Sequence, residues 1–236
     1  MILTRRQKIT IAGLVIYWIM LAIVGHIPIP DVVYKARVSD KWLHFLAYLN
    51  LVFLLWFAVR PDSKVRLRSG MVWLVFIVTV AYGGIDELLQ PYVGRTKDLG
   101  DFLANIAGVS AGLILLAFLA FWQALPAVLA ITIFGLTNLA KSNLSNLMPI
   151  AVAIFHIFAY GGFTLAWIKS MNLYLSHKTI VIGLLTAIVP VGFLLFVKAS
   201  SLLSGIPFAV TDILFAVCGI IAALVICRMA CKADRL

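Results

Sequence analysis

Acidic residues are scarce in this chain: Asp and Glu together number 9 in 236 residues, against 19 Lys and Arg. Charged residues of both signs make up only 12%, while hydrophobic ones reach 64%, at a mean hydropathy of +1.10. That poverty of charge excludes an ordinary soluble domain. Cysteine is nearly missing too. The three present, Cys218, Cys227 and Cys231, are too few for a disulfide scaffold. Cys227 and Cys231 stand one helical turn apart at the end of the last apolar run and read as small apolar filler, with no neighbouring metal ligands. The usual catalytic signatures are absent: no His-x-x-x-His pair, no Gly-rich phosphate loop, no Gly-x-Ser-x-Gly elbow. The four histidines, His26, His44, His156 and His177, lie far apart in sequence, which disfavours haem or a two-metal centre. No metal and no cofactor are expected.

What the chain has in abundance is long apolar runs. Eight can be marked, at residues 9–25, 42–59, 70–89, 101–122, 124–140, 149–168, 179–197 and 207–228. A segment in lipid must satisfy its own backbone hydrogen bonds, so helices are the default. The fold class predicted is an all-α polytopic membrane protein of about eight transmembrane helices. Arg5, Arg6 and Lys8 before the first run resemble a signal-peptide start, but Gly25-His26-Ile27-Pro28 offers no small-x-small cleavage site. A retained first span is the expectation.

The excess of positive charge has a sidedness. With the N-terminus in the cytoplasm, 12 of the 19 Lys and Arg fall on that side, including Arg5, Arg60, Lys64, Arg66, Arg68 and Arg228. The opposite face keeps 7 basic and 7 acidic residues. That is the positive-inside pattern, so the net charge of +10 reads as a topology signal and nucleic acid is not an expected partner. Both termini are predicted to face the cytoplasm of a bacterial inner membrane.

The second half resembles a worn copy of the first. His44-Phe-Leu-Ala-Tyr48 recurs as His156-Ile-Phe-Ala-Tyr160, and the run from Asp101 through Gly108 to Leu113 recurs from Asp212 through Gly219 to Leu224. The offsets are 112 and 111 residues. Two four-span units follow, 1–122 and 123–236, and an even number of spans makes the repeat parallel about the membrane normal. At that offset Glu87 meets Lys198, Gln90 meets Ser201, Arg95 meets Ile206 and Asn105 meets Ala216. The copy is expected to keep its packing and lose its chemistry.

Polar residues concentrate between Asp40 and Gly112. Asp40, His44 and Tyr48 share one helix face, as do Asp101, Asn105, Gly108 and Gly112. Gly108-x(3)-Gly112 permits close backbone approach, with the second span the natural neighbour. Asp86, Glu87 and Gln90 end the third span, and a polar loop carries Arg95, Lys97 and Asp98 back to Asp101. Read functionally, this is a pocket with Glu87 and Asp101 as acids, His44 as proton carrier and Arg95 as an anion contact. Read structurally, Asp101 caps a helix, His44 and Tyr48 share a hydrogen bond, and Glu87 with Arg95 forms one ion pair. Composition leaves both readings open.

The ordered run Asp40-Lys41-x-x-His44-Phe-x-x-Tyr48, Asp86-Glu87-x-x-Gln90, Arg95 and Asp101-x(3)-Asn105-x-x-Gly108-x(3)-Gly112 resembles the VanZ-like family of bacterial membrane proteins. The resemblance covers roughly residues 9–122. It implies a four-helix membrane unit and carries the family's polar positions onto Lys41, His44, Glu87, Gln90, Arg95, Asp101 and Asn105. The family takes its name from a member conferring low-level resistance to teicoplanin, a glycopeptide with a lipid tail. The function expected is binding or handling of an anionic or lipid-linked envelope ligand at the outer leaflet. Glu87, Asp101 and His44 are the candidate catalytic residues; Lys41, Tyr48, Gln90, Arg95, Asp98 and Asn105 are the candidate ligand contacts. A membrane enzyme acting on a lipid-linked phosphate or glycan, and a non-catalytic scaffold, are the alternatives. The partners expected are membrane lipids or a lipid-linked precursor; no oligomeric state follows from the sequence.

Overall fold

A computed structural model of the chain describes residues 4–26, 39–61, 63–139, 148–174, 180–206 and 208–233. Its elements are α1 (Arg5–His26), α2 (Asp40–Val59), α3 (Gly70–Leu89), α4 (Leu99–Phe118), α5 (Phe121–Leu139), α6 (Pro149–Tyr174), α7 (Ile180–Leu203) and α8 (Val210–Ala233). A 3-10 turn, Gln90–Val93, follows α3 and ends at Gly94, whose φ of 77° suits glycine. No strand occurs among the described residues. All eight helices are long and apolar enough to cross a membrane, since ~20 residues at ~1.5 Å each span a ~30 Å hydrocarbon core. Ile16, Ile77, Ile154, Leu195 and Ile221 are each more than half exposed, an arrangement that lipid favours and water penalises. The chain is an all-α, multi-pass membrane protein.

Several boundaries differ from the hydropathy reading, among them the end of α6, at Tyr174 and not 168, and that of α8, at Ala233 and not 228; two others bear on the sites. The fourth apolar run does not continue to residue 122: α4 stops at Phe118, Leu119 is extended, and Phe121 and Trp122 open α5. There the Gln123 side-chain oxygen accepts from the Ala120 amide at 3.3 Å, a reach-back that satisfies a helix-start donor. Hydropathy misses this break because the residues around it are apolar. The seventh helix, expected to stop at 197, continues to Leu203 and so carries Lys198 and Ser201 within it.

The chain divides into two compact units, with the break inside α5 between Ala124 and Leu125. In the first unit α2 is the central helix, with nine buried residues between Leu46 and Ala58. Helix α4 crosses it closely. A Cβ added at Gly108 would land on the Phe45 carbonyl oxygen, and one at Gly112 on the Val52 side chain. Helix α1 lies against α2, with Gln7 donating to the Ala58 carbonyl at 3.0 Å and Tyr17 to that of Ala47 at 2.9 Å. The loop after α2 closes on the end of α4, where Val65 N–H donates to Leu116 O at 3.0 Å and Lys64 to Phe118 O at 2.8 Å. Arg6, Arg60, Lys64, Arg66 and Arg68 thus share one end of the unit. Asp40, Asp86, Glu87, Asp98 and Asp101 gather at the other.

The second unit packs Ile133, Tyr160, Phe163, Leu194, Ala216 and Ile220 from α5 to α8 into one core. Here α6 and α8 approach through Gly161 and Gly219, and a Cβ at Gly219 would land on the Ile157 carbonyl oxygen.

The tightness of these crossings gives a first expected outcome. Gly108→Leu has no room beside the α2 backbone and is expected to cost at least ~1–3 kcal/mol, the usual penalty of overpacking. Gly70→Ala, where nothing lies within 4 Å, is the neutral control. Melting in mild detergent, followed by circular dichroism, checks both; equal melting temperatures would mean that the crossing is loose.

Candidate functional site

Three helix ends and one turn build the acidic end of the first unit. Helix α2 begins there with Asp40, Lys41 and His44, and α4 begins there with Asp101 and Asn105. Helix α3 ends there with Asp86 and Glu87, and the 3-10 turn supplies Gln90. Their proximity follows from the Gly108–Phe45 crossing, which brings the first turns of α2 and α4 side by side. Gly83 does the same for α3, since a Cβ there would stand 3.1 Å from both Asn105 Nδ2 and a ring carbon of Tyr48.

His44 is the hub. Its Nδ1 lies 3.0 Å from Asn105 Oδ1 and 3.6 Å from Glu87 Oε1, while its Nε2 lies 3.8 Å from Asp40 Oδ1. An amide oxygen only accepts, so Nδ1 carries the hydrogen in this contact. Gln90 Nε2 donates to Glu87 Oε1 at 2.9 Å. Glu87, Gln90, Asp101 and Asn105 are each at most 3% exposed. Toward the surface, Lys41 bridges two carboxylates, at 2.5 Å from Asp98 Oδ2 and 3.4 Å from Asp101 Oδ1.

Several expected roles move. Arg95, expected beside Glu87, points its guanidinium at Asp40 (3.3 Å) and at the Gly25 carbonyl (3.2 Å). The 3-10 turn ending at Gly94 redirects the chain, and Arg95 N–H is held by Gln90 O at 3.1 Å. Its charge is thereby committed to protein oxygens. The helix cap is Asp98, not Asp101: Asp98 Oδ1 accepts from the Gly100 amide at 2.7 Å. Asp101, inside the first turn, is left to face Lys41 and His44. The His44–Tyr48 bond is replaced by His44–Asn105, because the short α2–α4 approach puts the amide nearer than a hydroxyl one turn away.

Asp86 and His26 join the site although neither was among the candidate catalytic or ligand residues. Asp86 is 5% exposed, its Oδ1 stands 3.7 Å from His26 Nδ1, and Gly25 lies against it. Only the packing of α1 brings His26 there, 60 residues away in sequence. One sequence signal was available for Glu87: it is the only glutamate in the chain.

Seven buried polar atoms here have no hydrogen-bond partner within 3.5 Å among the described residues: His26 Nε2, Tyr48 OH, Tyr82 OH, Asp86 Oδ1, Glu87 Oε2, Gln90 Oε1 and Asn105 Nδ2. Buried polar groups ordinarily find partners, so such a cluster calls for a further hydrogen-bonding group in the site. Asp40, His44 and Asp101 also bring one donor atom each within 4.8 Å of one another, a set able to hold a divalent cation. Lys41 and Arg95 sit on the same carboxylates and compete for that position.

Outside the spans, the Lys41 ammonium and the Gly100 amide hold the Asp98 carboxyl below its ordinary range. A depressed acid stabilises the link above the ordinary carboxylate value and loses it as pH falls through the lower, folded value. The Asp98 titration midpoint by NMR is expected below about 3.9 and should return toward it in Lys41→Met. An unchanged midpoint would remove the Lys41–Asp98 link in solution.

The second unit holds polar residues that the expectation of lost chemistry overlooked. Lys198, 4% exposed, lies 3.6 Å from Asp212 Oδ2 and 3.5 Å from His156 Nε2. The longer α7 carries Lys198 within it, so this part of the second unit is polar and not empty.

Compared with protein-family models, curated proteins and solved structures, the chain matches none.

Proposed function

We propose that the first unit binds the polar head of a lipid-linked ligand at one face of a bacterial cytoplasmic membrane, in the manner of the VanZ-like family its polar run resembles. The observation that carries this reading is the set of buried, unpartnered atoms around His44: Glu87 Oε2, Gln90 Oε1 and Asn105 Nδ2. Two are acceptors and one is a donor amide. Hydroxyl or amine groups of a glycan or amino head group suit them. Both nearby cations already face carboxylates, so a bare phosphate finds its best contact only at the mouth, on Lys41, whose side chain is 57% exposed.

A second reading is favoured by one observation. His44 stands between an inner acid, Glu87, and an outer one, Asp40, at 3.6 and 3.8 Å. That is the layout of a proton path, and it supports an enzyme acting on a lipid-linked phosphate or glycan, with His44 carrying the proton, Glu87 as acid and Asp101 as its electrostatic neighbour. Mass spectrometry of lipids retained by gently purified protein separates these readings from a scaffold. A reproducible head-group-bearing lipid supports the site; bulk lipid alone leaves the scaffold. Tolerance to lipoglycopeptides in a deletion strain is the first phenotype to try.

The orientation proposed has both termini in the cytoplasm and the Arg95–Asp101 segment outside, from the basic residues gathered at the other end of the unit. Cysteine placed at Thr96 is expected to react with an impermeant maleimide in intact spheroplasts, and cysteine at Ser63 is not. Reversed labelling would put the site on the cytoplasmic face.

A further inference from the structure

Two acids at the end of α3 stand apart from the others of the first unit. Asp40, Asp98 and Asp101 each face a basic side chain, Arg95 for the first and Lys41 for the other two. Asp86 and Glu87 face only imidazoles among the described residues, His26 Nδ1 at 3.7 Å and His44 Nδ1 at 3.6 Å. Neither imidazole gives them a hydrogen. The Nδ1 hydrogen of His26 goes to the Ala22 carbonyl at 2.8 Å, and that of His44 to Asn105 Oδ1 at 3.0 Å. Both acids are buried, Asp86 at 5% and Glu87 at 3% exposure. Adjacent carboxylates out of water repel one another and lack solvation, so positive charge is what they call for.

Gln90 points the same way without being an acid. It is 1% exposed, and its amide nitrogen donates to Glu87 Oε1 at 2.9 Å. Glu87 Oε2 and Gln90 Oε1 flank that bond, both buried and both without a hydrogen-bond partner among the described residues. The Asp98 amide bears on the Glu87 carboxyl but makes no hydrogen bond to Oε2. Asp86 Oδ1 is likewise unpartnered. The unspent donors of the site, Asn105 Nδ2 and the Tyr48 hydroxyl, make no hydrogen bond to any of these oxygens and carry no charge.

The chemistry of these oxygens discriminates among ligands. A glycan hydroxyl supplies hydrogens but no charge. A divalent ion supplies charge but takes about six or more oxygen ligands. The side chains close enough together for one, Asp40, His44 and Asp101, include neither Asp86 nor Glu87 and lie under Lys41 and Arg95. A primary ammonium carries three hydrogens and one positive charge.

We propose that the ligand of the first unit carries a primary ammonium group, seated on Glu87 Oε2 and Gln90 Oε1, with Asp86 adding the second negative charge. This rests on the reading of the first unit as a head-group site and names the class of head group. The amine belongs to an aminophospholipid or to a soluble amine. An aminophospholipid uses both charges of the unit: its ammonium meets the buried acids, and its phosphate meets Lys41 at the mouth, whose side chain is 57% exposed.

The test uses the full chain in nanodiscs of phosphatidylcholine, whose quaternary ammonium has no N–H. Phosphatidylethanolamine or the neutral monoglucosyldiacylglycerol is mixed in; separately, ethanolamine or magnesium chloride is added to the plain discs. Phosphatidylethanolamine is expected to raise the melting temperature of the wild type by roughly 2–4 °C, as a ligand binding only the folded state does. Glu87→Gln and Asp86→Asn, both nearly isosteric, are each expected to lose at least half of that rise. A rise with phosphatidylethanolamine alone makes the amine a lipid head group; a rise with ethanolamine as well makes it an amine from either source. A rise with the glucosyl lipid alone overturns the ammonium and leaves the head-group site standing. A rise with magnesium alone overturns the ammonium in favour of a metal ion. No rise with any of them overturns both readings, and a rise undiminished in both variants places the amine elsewhere and overturns this one.

Discussion

Glu87→Gln is expected to weaken retention of the head-group-bearing lipid about 10- to 100-fold, the equivalent of losing one hydrogen bond to a charged group. The replacement is nearly isosteric. The acceptor for Gln90, now 2.9 Å from Glu87 Oε1, survives as an amide oxygen. What disappears is the negative charge 3.6 Å from His44 and the open acceptor at Oε2. Stability is expected to change little, because nothing is left as an unpaired buried charge. Any phenotype of a deletion strain should therefore fail to be complemented by this variant at normal expression. Full complementation with unchanged lipid retention would return the site to a structural role.

The second large effect lies in the other unit and is read as stability. Lys198→Met alone removes the ammonium 3.6 Å from the Asp212 carboxylate, which keeps the Ala209 amide as a donor, and breaking a buried pair from one side typically costs ~3–5 kcal/mol. Lys198→Met together with Asp212→Asn is expected to cost much less, since no charge is then left without its counterpart. The difference between single and double variants, measured by denaturation in detergent, isolates the coupling. Additive losses would mean that Lys198 and Asp212 do not act on one another, and the geometry at 3.6 Å would carry no energy. Glu87→Lys places an ammonium where the buried acid stands 3.6 Å from His44, and it is expected to be more damaging than Glu87→Gln.

Much of the polar set was legible because its spacing is helical. His44 and Asn105 lie on faces marked by the i, i+4 pattern, and the Gly108–Gly112 spacing pointed to a close neighbour for α4. The placement of Glu87 and Gln90 at the end of the third span was legible from the run of apolar residues before them; their burial was not. Partner identity did not. Arg95 was assigned to Glu87 from sequence nearness, yet the left-handed Gly94 turns the chain so that Asp40 and Gly25 receive it. The choice between Asp98 and Asp101 as cap rests on a single residue of helix boundary, which no periodicity resolves.

Composition and run length alone determined that this is a membrane protein with eight helices, among the described residues, long and apolar enough to span, because an apolar segment of that length has one way to satisfy its backbone in lipid. Charge distribution along the sequence likewise separated a basic end of the first unit from an acidic one. Only the tertiary structure decided which polar atoms meet. Side chains such as His26 and Asp86, or Lys198 and His156, are tens of residues apart, and their contacts depend on ångström-scale helix approach set by Gly83, Gly108 and Gly219. Hydropathy measures how much a residue prefers lipid; it holds no information about which neighbour a buried charge will find there.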